Sequence, residues 1–232
     1  MSVLLSIILL LASSPGSQAQ PKSEPQFKLV KFHMVLLKKG PKWTATATKE
    51  TEQMHQAHVA HVISLLENGK AVLAGPLSDD GEIRGIYILR TESADEARNW
   101  VNSDPAVVSG NLIAEIHPWL AEDVFKKANT PPKLTTVYLA FLLRGEKWTP
   151  EQTPATEELQ KAHLANIVRL NKMNKLPVAG PFGDEGTMRG IFVFRVGSIE
   201  EARMLTETDP AVKAGRLALE LHPWQVPEGI LP

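Results

Sequence analysis

The chain has 232 residues, of which 43% are hydrophobic and 22% charged, the composition of an ordinary globular protein with room for one large domain or two small ones. Its 25 basic and 26 acidic side chains give a net charge of −1, so there is no basic excess for binding a phosphate backbone and we expect no nucleic-acid partner. Cysteine is absent, which excludes disulfides, thiolate catalysis and zinc–sulfur or iron–sulfur sites.

Residues 1–20 are predicted to be a cleaved signal peptide. Residues 3–12 form an apolar run interrupted only by Ser6, and small side chains at Ser17 and Ala19 suit a cut after Ala19. The run is too short to span a membrane as a helix. The alternative is a disordered or buried N-terminus. A signal here predicts an exported protein, periplasmic or secreted, with no membrane contact after cleavage.

The next hundred or so residues predict an alternation of strands and helices. Helical spacing of apolar residues ends at Gly69, and Ser93 with Glu96 resembles a capping box at the start of a second helix. Asp104-Pro105 breaks that helix. The predicted elements, in chain order, are strand 27–37, helix 52–68, strand 71–74, strand 85–90, helix 94–102 and strand 112–117.

The chain then repeats itself. A shift of about 105 residues aligns residues 29–119 with the second half without a gap, at roughly two identical residues in five. A period this long indicates tandem domains rather than a solenoid. The matched motifs include Ala57-His58 with Ala162-His163, Ala74-Gly75-Pro76 with Ala179-Gly180-Pro181, Asp104-Pro105 with Asp209-Pro210, and His117-Pro118-Trp119 with His222-Pro223-Trp224.

The element order of each copy is βαββαβ, which predicts the α+β class with a ferredoxin-like unit whose helices cover one face of an antiparallel sheet. Two such units can bury their bare sheet faces against each other, so we predict two domains, 26–126 and 133–232, that form a pseudo-dimer within one chain. Further self-association stays open.

Three motifs, in the same order in both halves, carry a family resemblance. Ala57-His58-x-Ala60, Ala74-Gly75-Pro76 and Asp104-Pro105-x-Val107-x-x-Gly110, with their copies in the second half, resemble the YciI family (YCII-related domains). The resemblance implies a dimeric α/β barrel in which the two units stand back to back. It also implies an active-site His–Asp pair in a cleft, which maps to His58 and Asp104 in the first copy and to His163 and Asp209 in the second. Most of that family has no known function, and a few members are lyases or dehydrochlorinases that act on ring compounds.

From the residues alone, two interpretations of these pairs stay open, a structural role and an acid–base role. His58 lies on the apolar side of its helix, which also suits a buried packing histidine, and Asp104 before Pro105 also suits a helix cap or turn. A histidine beside a carboxylate is a general acid–base pair. Because both copies keep His and Asp, and because the family resemblance implies the same pair, we favour the acid–base interpretation.

Four further residues are predicted to bind substrate. Arg84 and Arg189 each precede a glycine that opens a strand, where a guanidinium can hold a carboxylate through two hydrogen bonds; a surface salt bridge from Arg84 to Asp79 or Glu82 is the alternative. Asp79 and Asp184 lie in the preceding loops, and ordinary turn chemistry is their alternative.

Other conspicuous side chains are given structural roles. His117 and His222, each before proline, are predicted to end a strand. Trp43 and Trp148 are expected to anchor a loop rather than line a pocket. His55, His58 and His61 are too widely spread around their helix for zinc, so we predict no metal site and no cofactor.

Three functions remain. The first is a cofactor-free lyase or isomerase that moves a proton on a small organic or aromatic acid. The second is a binding protein of the same fold that takes a small-molecule ligand without turnover. The third is a structural module whose histidines only pack.

Overall fold

A computed structural model describes residues 27–129 and 131–232. The predicted signal peptide lies outside this range, so the expected export stays a prediction. Among the described residues, no helix has the length and apolarity needed to cross a membrane.

The first unit runs β1 (Leu29–Lys39), α1 (Lys49–Glu67), β2 (Ala71–Pro76), β3 (Ile83–Leu89), α2 (Ala94–Asn102), α3 (Pro105–Val108) and β4 (Leu112–Glu122). The second runs β5 (Leu134–Arg144), α4 (Pro154–Lys172), β6 (Val178–Pro181), β7 (Met188–Phe194), α5 (Ile199–Thr206), α6 (Pro210–Lys213) and β8 (Leu217–Pro227). Each unit has one antiparallel sheet, in the orders β2-β3-β1-β4 and β6-β7-β5-β8. The predicted α+β fold of two ferredoxin-like units is confirmed.

The first long helix begins earlier than its apolar spacing predicts. Thr48 caps α1 by accepting a hydrogen bond from the Thr51 backbone, and the Thr51 hydroxyl accepts one from the Thr48 backbone in return. Thr153 and Thr156 repeat this capping box at α4. The sequence prediction missed it because the reciprocal residue is threonine and not the usual glutamate.

The prediction that His117 and His222 end their strands is wrong. β4 continues through Pro118 to Glu122 and pairs with β1 along its whole length. The Pro118 carbonyl accepts a hydrogen bond from the Gly183 backbone of the other unit, so it faces away from β1. The nitrogen and the carbonyl of one strand residue lie on the same side of the strand, so the Pro118 nitrogen also faces away from β1. A proline costs no ladder hydrogen bond in that orientation. Pro223 in β8 has the same arrangement with Ser78.

The two sheets close into a barrel because their edge strands meet at two seams, β2 with β8 and β4 with β6. The indole nitrogens of the fully buried Trp119 and Trp224 donate across these seams to the carbonyls of Gly180 and Gly75. One hydrophobic cluster contains side chains of both sheets, among them Met34, Ile88, Leu139 and Val193. The expected shared core between the units is therefore present.

Candidate functional site

Each unit brings its predicted histidine and aspartate together. Nδ1 of His58, in α1, lies 2.9 Å from both carboxylate oxygens of Asp104. Nδ1 of His163, in α4, lies 2.9 Å from both oxygens of Asp209. A carboxylate can only accept, so each imidazole donates from Nδ1 and keeps Nε2 for another partner. Among the described residues, neither Nε2 has one.

Asp104 serves two structural purposes at once. It is completely buried, it caps α3, and its Oδ1 accepts a hydrogen bond of 2.9 Å from the Ala106 backbone. Asp209 does the same at α6 through Ala211. The sequence left a helix cap and a pairing with histidine as alternative roles for this aspartate. One carboxylate has enough lone pairs to accept hydrogen bonds in both roles.

The hydroxyl of Tyr87, in β3, donates to Asp104 Oδ2 at 2.5 Å. Burial raises the pKa of Tyr87 well above its ordinary range, and the charge on Asp104 raises it further, so the hydroxyl keeps its proton. Burial acts to raise the pKa of Asp104 as well. The contacts with His58, Tyr87 and the Ala106 backbone outweigh burial and hold this pKa below its ordinary value of 3.8.

The second unit supplies the corresponding donor from a different element. Phe192 stands at the position of Tyr87 and has no hydroxyl, whereas Asn166 stands at the position of His61 and donates from Nδ2 to Asp209 Oδ2 at 3.0 Å. Arg169 holds the Asn166 carbonyl through bonds of 2.7 and 3.2 Å. In the first unit, Nε2 of His61 is buried without a hydrogen-bond partner.

A cavity of about 510 Å³ adjoins the second pair. His163 lines it together with Trp148, Arg189 and Arg216. The volume lies within the range of small-molecule sites. The apolar part of the wall includes Leu142, Leu159, Leu164, Ile167, Ile191 and Phe192.

Each of the two predicted arginines lies against a tryptophan ring, and their predicted part in substrate binding stays a prediction. Arg84 Nη1 donates to the backbone carbonyl of Asp79 at 2.5 Å, and its guanidinium lies 5.4 Å from the centre of the Trp43 ring. Arg189 lies likewise on Trp148, at 5.5 Å. The alternative role for Arg84, a salt bridge to Asp79 or Glu82, is not formed, because among the described residues neither carboxylate lies within 4.0 Å of this guanidinium.

Asp79 and Asp184 lie at the contact between the units. Asp79 Oδ2 is 2.6 Å from Nδ1 of His222, and Asp184 Oδ2 is 2.6 Å from Nδ1 of His117. Asp184 does not line the described cavity. Their predicted part in substrate binding stays untested, and their contacts support a part in holding the units together.

His117 and His222 are the residues whose role the sequence reading missed. Each uses its second nitrogen as well, His117 toward Glu115 at 2.9 Å and His222 toward Glu220 at 3.0 Å. Each imidazole therefore lies between a carboxylate of its own strand and one of the other unit. Repetition of both the His-Pro-Trp motif and the Asp-Gly loop was a signal that these positions belong together.

The other side chains considered in the sequence analysis contribute less to the site. Trp148 lines the cavity, contrary to the expected loop anchor, while Trp43 is 37% exposed. His55 lies beside His58 with ring centres 6.2 Å apart. Among the described residues, no group of three histidine or acidic side chains is arranged to hold a metal.

Comparison with known proteins agrees with this architecture. Residues 32–120 match the YCII-related domain family. An uncharacterized protein of Bacillus subtilis (strain 168), YjpA, is 29% identical over 89 residues, which cover 38% of this chain and 94% of that protein. The family match therefore spans the first unit, including His58 and Asp104.

Solved structures match both units together. A chlorite dismutase variant from Candidatus Nitrospira defluvii superposes with a TM-score of 0.55 at 8% identity, covering 86% of this chain and 92% of that one. A heme-binding protein from Thermus thermophilus gives 0.55 at 12% identity, covering 89% and 95%. At these identities the likeness shows the fold alone.

Proposed function

We propose that the chain is a tandem YCII-related protein that acts as a cofactor-free lyase or isomerase on a small organic or aromatic acid. The observation that carries the proposal is the position of His163, which lines a cavity while its Nδ1 is held by the buried carboxylate of Asp209. The same pair occurs at His58 and Asp104.

The pair suits proton transfer at a carbon atom. Nδ1–H of His163 bonds to Asp209, so the lone pair on Nε2 is the one that can take a proton from the ligand. The carboxylate stabilises the imidazolium that forms. An isomerase returns this proton to another carbon, and a lyase returns it to the departing group, so the histidine ends neutral in both cases.

The apolar cavity wall supports the same assignment. Exclusion of water strengthens the interaction between the imidazolium and its carboxylate, and it protects a carbanion-like species from solvent. A ligand-binding protein without turnover remains the second candidate, because the cavity accounts for binding whether or not a proton moves.

Hydrogen–deuterium exchange separates the two candidates. The full chain is incubated in D₂O with a panel of small aliphatic and aromatic carboxylic acids, and loss of each C–H signal is followed by proton NMR. We expect exchange or conversion of at least one acid, reduced about 100-fold or more in His163→Asn. Arg203→Asn, at an exposed position of α5, is the charge control.

Two results would contradict the proposal. Acids that bind but neither exchange nor convert would leave the binding protein as the function. Because one structure of the same fold is a heme-binding protein, hemin is titrated as well, and a saturable Soret shift at one equivalent would contradict a cofactor-free site.

A further inference from the structure

Three arginine side chains surround one indole ring in the second unit. The guanidinium carbons of Arg216, Arg144 and Arg189 lie 4.5, 5.2 and 5.5 Å from the centre of the Trp148 ring. Stacking on an aromatic face fixes the plane of a guanidinium and leaves its N–H groups available at the edge. Three positive charges are thus gathered around one indole, and two of them, Arg189 and Arg216, line the cavity together with His163.

These charges have no acidic side chain beside them. Arg144 donates to the Glu185 backbone carbonyl and Arg189 to that of Asp184, while Arg216 bonds to the carbonyl and hydroxyl oxygens of Thr149. In the part of the chain that the structure describes, no carboxylate lies within 4.0 Å of any of the three. Nε1 of Trp148 is also buried without a hydrogen-bond partner.

The first unit lacks this cluster. Within the described residues, its matching indole, Trp43, has one guanidinium over its ring, that of Arg84. Arg144 corresponds to Lys39, which lies 3.9 Å from the Glu82 carboxylate, and Arg216 corresponds to the neutral Asn111. The charge cluster therefore belongs to the second unit and is not a requirement of the shared fold.

The arginine cluster and the cavity together indicate which class of ligand the second unit binds. Arg189 and Arg216 line the cavity at one part of its wall, and aliphatic side chains with Phe192 form another. Adjacent guanidiniums bind a carboxylate with directed, charge-assisted hydrogen bonds. We propose that the second unit is the ligand-binding unit and that it selects organic acids with an apolar body, the carboxylate held by Arg189, Arg216 and Trp148. This inference rests on the proposed function for the part played by His163.

The test uses 3-phenylpropionate and its neutral amide, 3-phenylpropionamide, titrated into the full chain by calorimetry. We expect the acid to bind about tenfold more tightly than the amide or better. Arg216→Asn installs the residue of the first unit and should remove most of this preference while the affinity for the amide stays the same. Arg216→Lys should keep part of it, and Arg203→Asn should keep all of it.

NMR of the indole N–H groups locates the ligand. The acid should shift the Trp148 signal, assigned by its loss in Trp148→Phe, and leave the Trp43 signal in place. Equal affinity for acid and amide, an unaltered preference in Arg216→Asn, a shift at Trp43 instead, or no binding of the acid at millimolar concentration would each overturn the inference.

His163→Asn separates this inference from the proposed function. The variant should keep the preference for the acid, because no arginine is changed. If that preference persists while no acid exchanges protons in D₂O, the anion site stands and the enzymatic proposal falls.

Discussion

The two units hold the same aspartate with different donors. In the first, the second side-chain donor to the carboxylate is the Tyr87 hydroxyl from a strand; in the second, it is the Asn166 amide from a helix. The carboxylate, its histidine and its backbone cap are unchanged. A buried carboxylate needs hydrogen-bond donors, and both units provide them. The comparison teaches that the element supplying a donor can differ while this need is still met.

Removal of either carboxylate is the strongest way to test this comparison. Asp104→Ala and Asp209→Ala each lose a helix cap and the bonds from two side chains, so we expect each to lower the free energy of unfolding by about 3 kcal/mol. Urea denaturation followed by circular dichroism measures both. If the two losses differed by more than about half of that value, the units would not be equivalent in the way we describe.

Exchange of the donors is a sharper test with a smaller effect. Tyr87→Phe removes the hydroxyl from a buried carboxylate and should cost about 2 kcal/mol. Adding His61→Asn installs the second unit's amide, so the double variant should regain about half of this loss or more.

His61→Asn alone is the control, since Tyr87 then still satisfies the carboxylate. A double variant that is no more stable than Tyr87→Phe would show that the two arrangements cannot be interchanged.

The smallest expected effect is a shift in the pH at which the protein unfolds in acid. The pKa of Asp104 is held below 3.8, so its contribution to stability is present above that pH and is lost as the pH falls through the lower, folded-state value. Tyr87→Phe removes one donor and should raise the pKa of Asp104, so we expect acid unfolding at a pH higher by about half a unit.

The acid titration is followed by fluorescence, and the double variant should return the midpoint toward that of the wild type. An unchanged midpoint in Tyr87→Phe would mean that the hydroxyl does not stabilise the charged form of Asp104.

The sequence predicted the element order, the two units and their shared core, because apolar periodicity and a gapless repeat report directly on strands, helices and buried faces. The pairing of His58 with Asp104 was expected from the family resemblance together with the repeat. Both residues are kept in each half, and the structure brings them into contact.

The rest depended on contacts between distant elements. Tyr87 lies in a strand and Asn166 in a helix, and nothing in the sequence around either residue shows that it reaches an aspartate. Pro118 misled for a related reason: its effect on the strand depends on which side the nitrogen faces. The arginines around Trp148 come from two strands and from the residue before a third, which sequence spacing does not reveal.

The seams between the sheets have a consequence for how such a molecule diversifies. Gly75 and Gly180 pass so close to the edge strand of the other half that an added Cβ would lie 1.8 and 1.9 Å from a backbone oxygen, so both seams need a glycine at this position. In an assembly of two identical chains, every substitution appears at both ligand sites, so a change that improves one site also alters the other. Here both sites lie in one chain, so a substitution in one half leaves the other half unchanged. One half can keep the geometry of the barrel while the other acquires new charge, and neither needs a second chain to complete it.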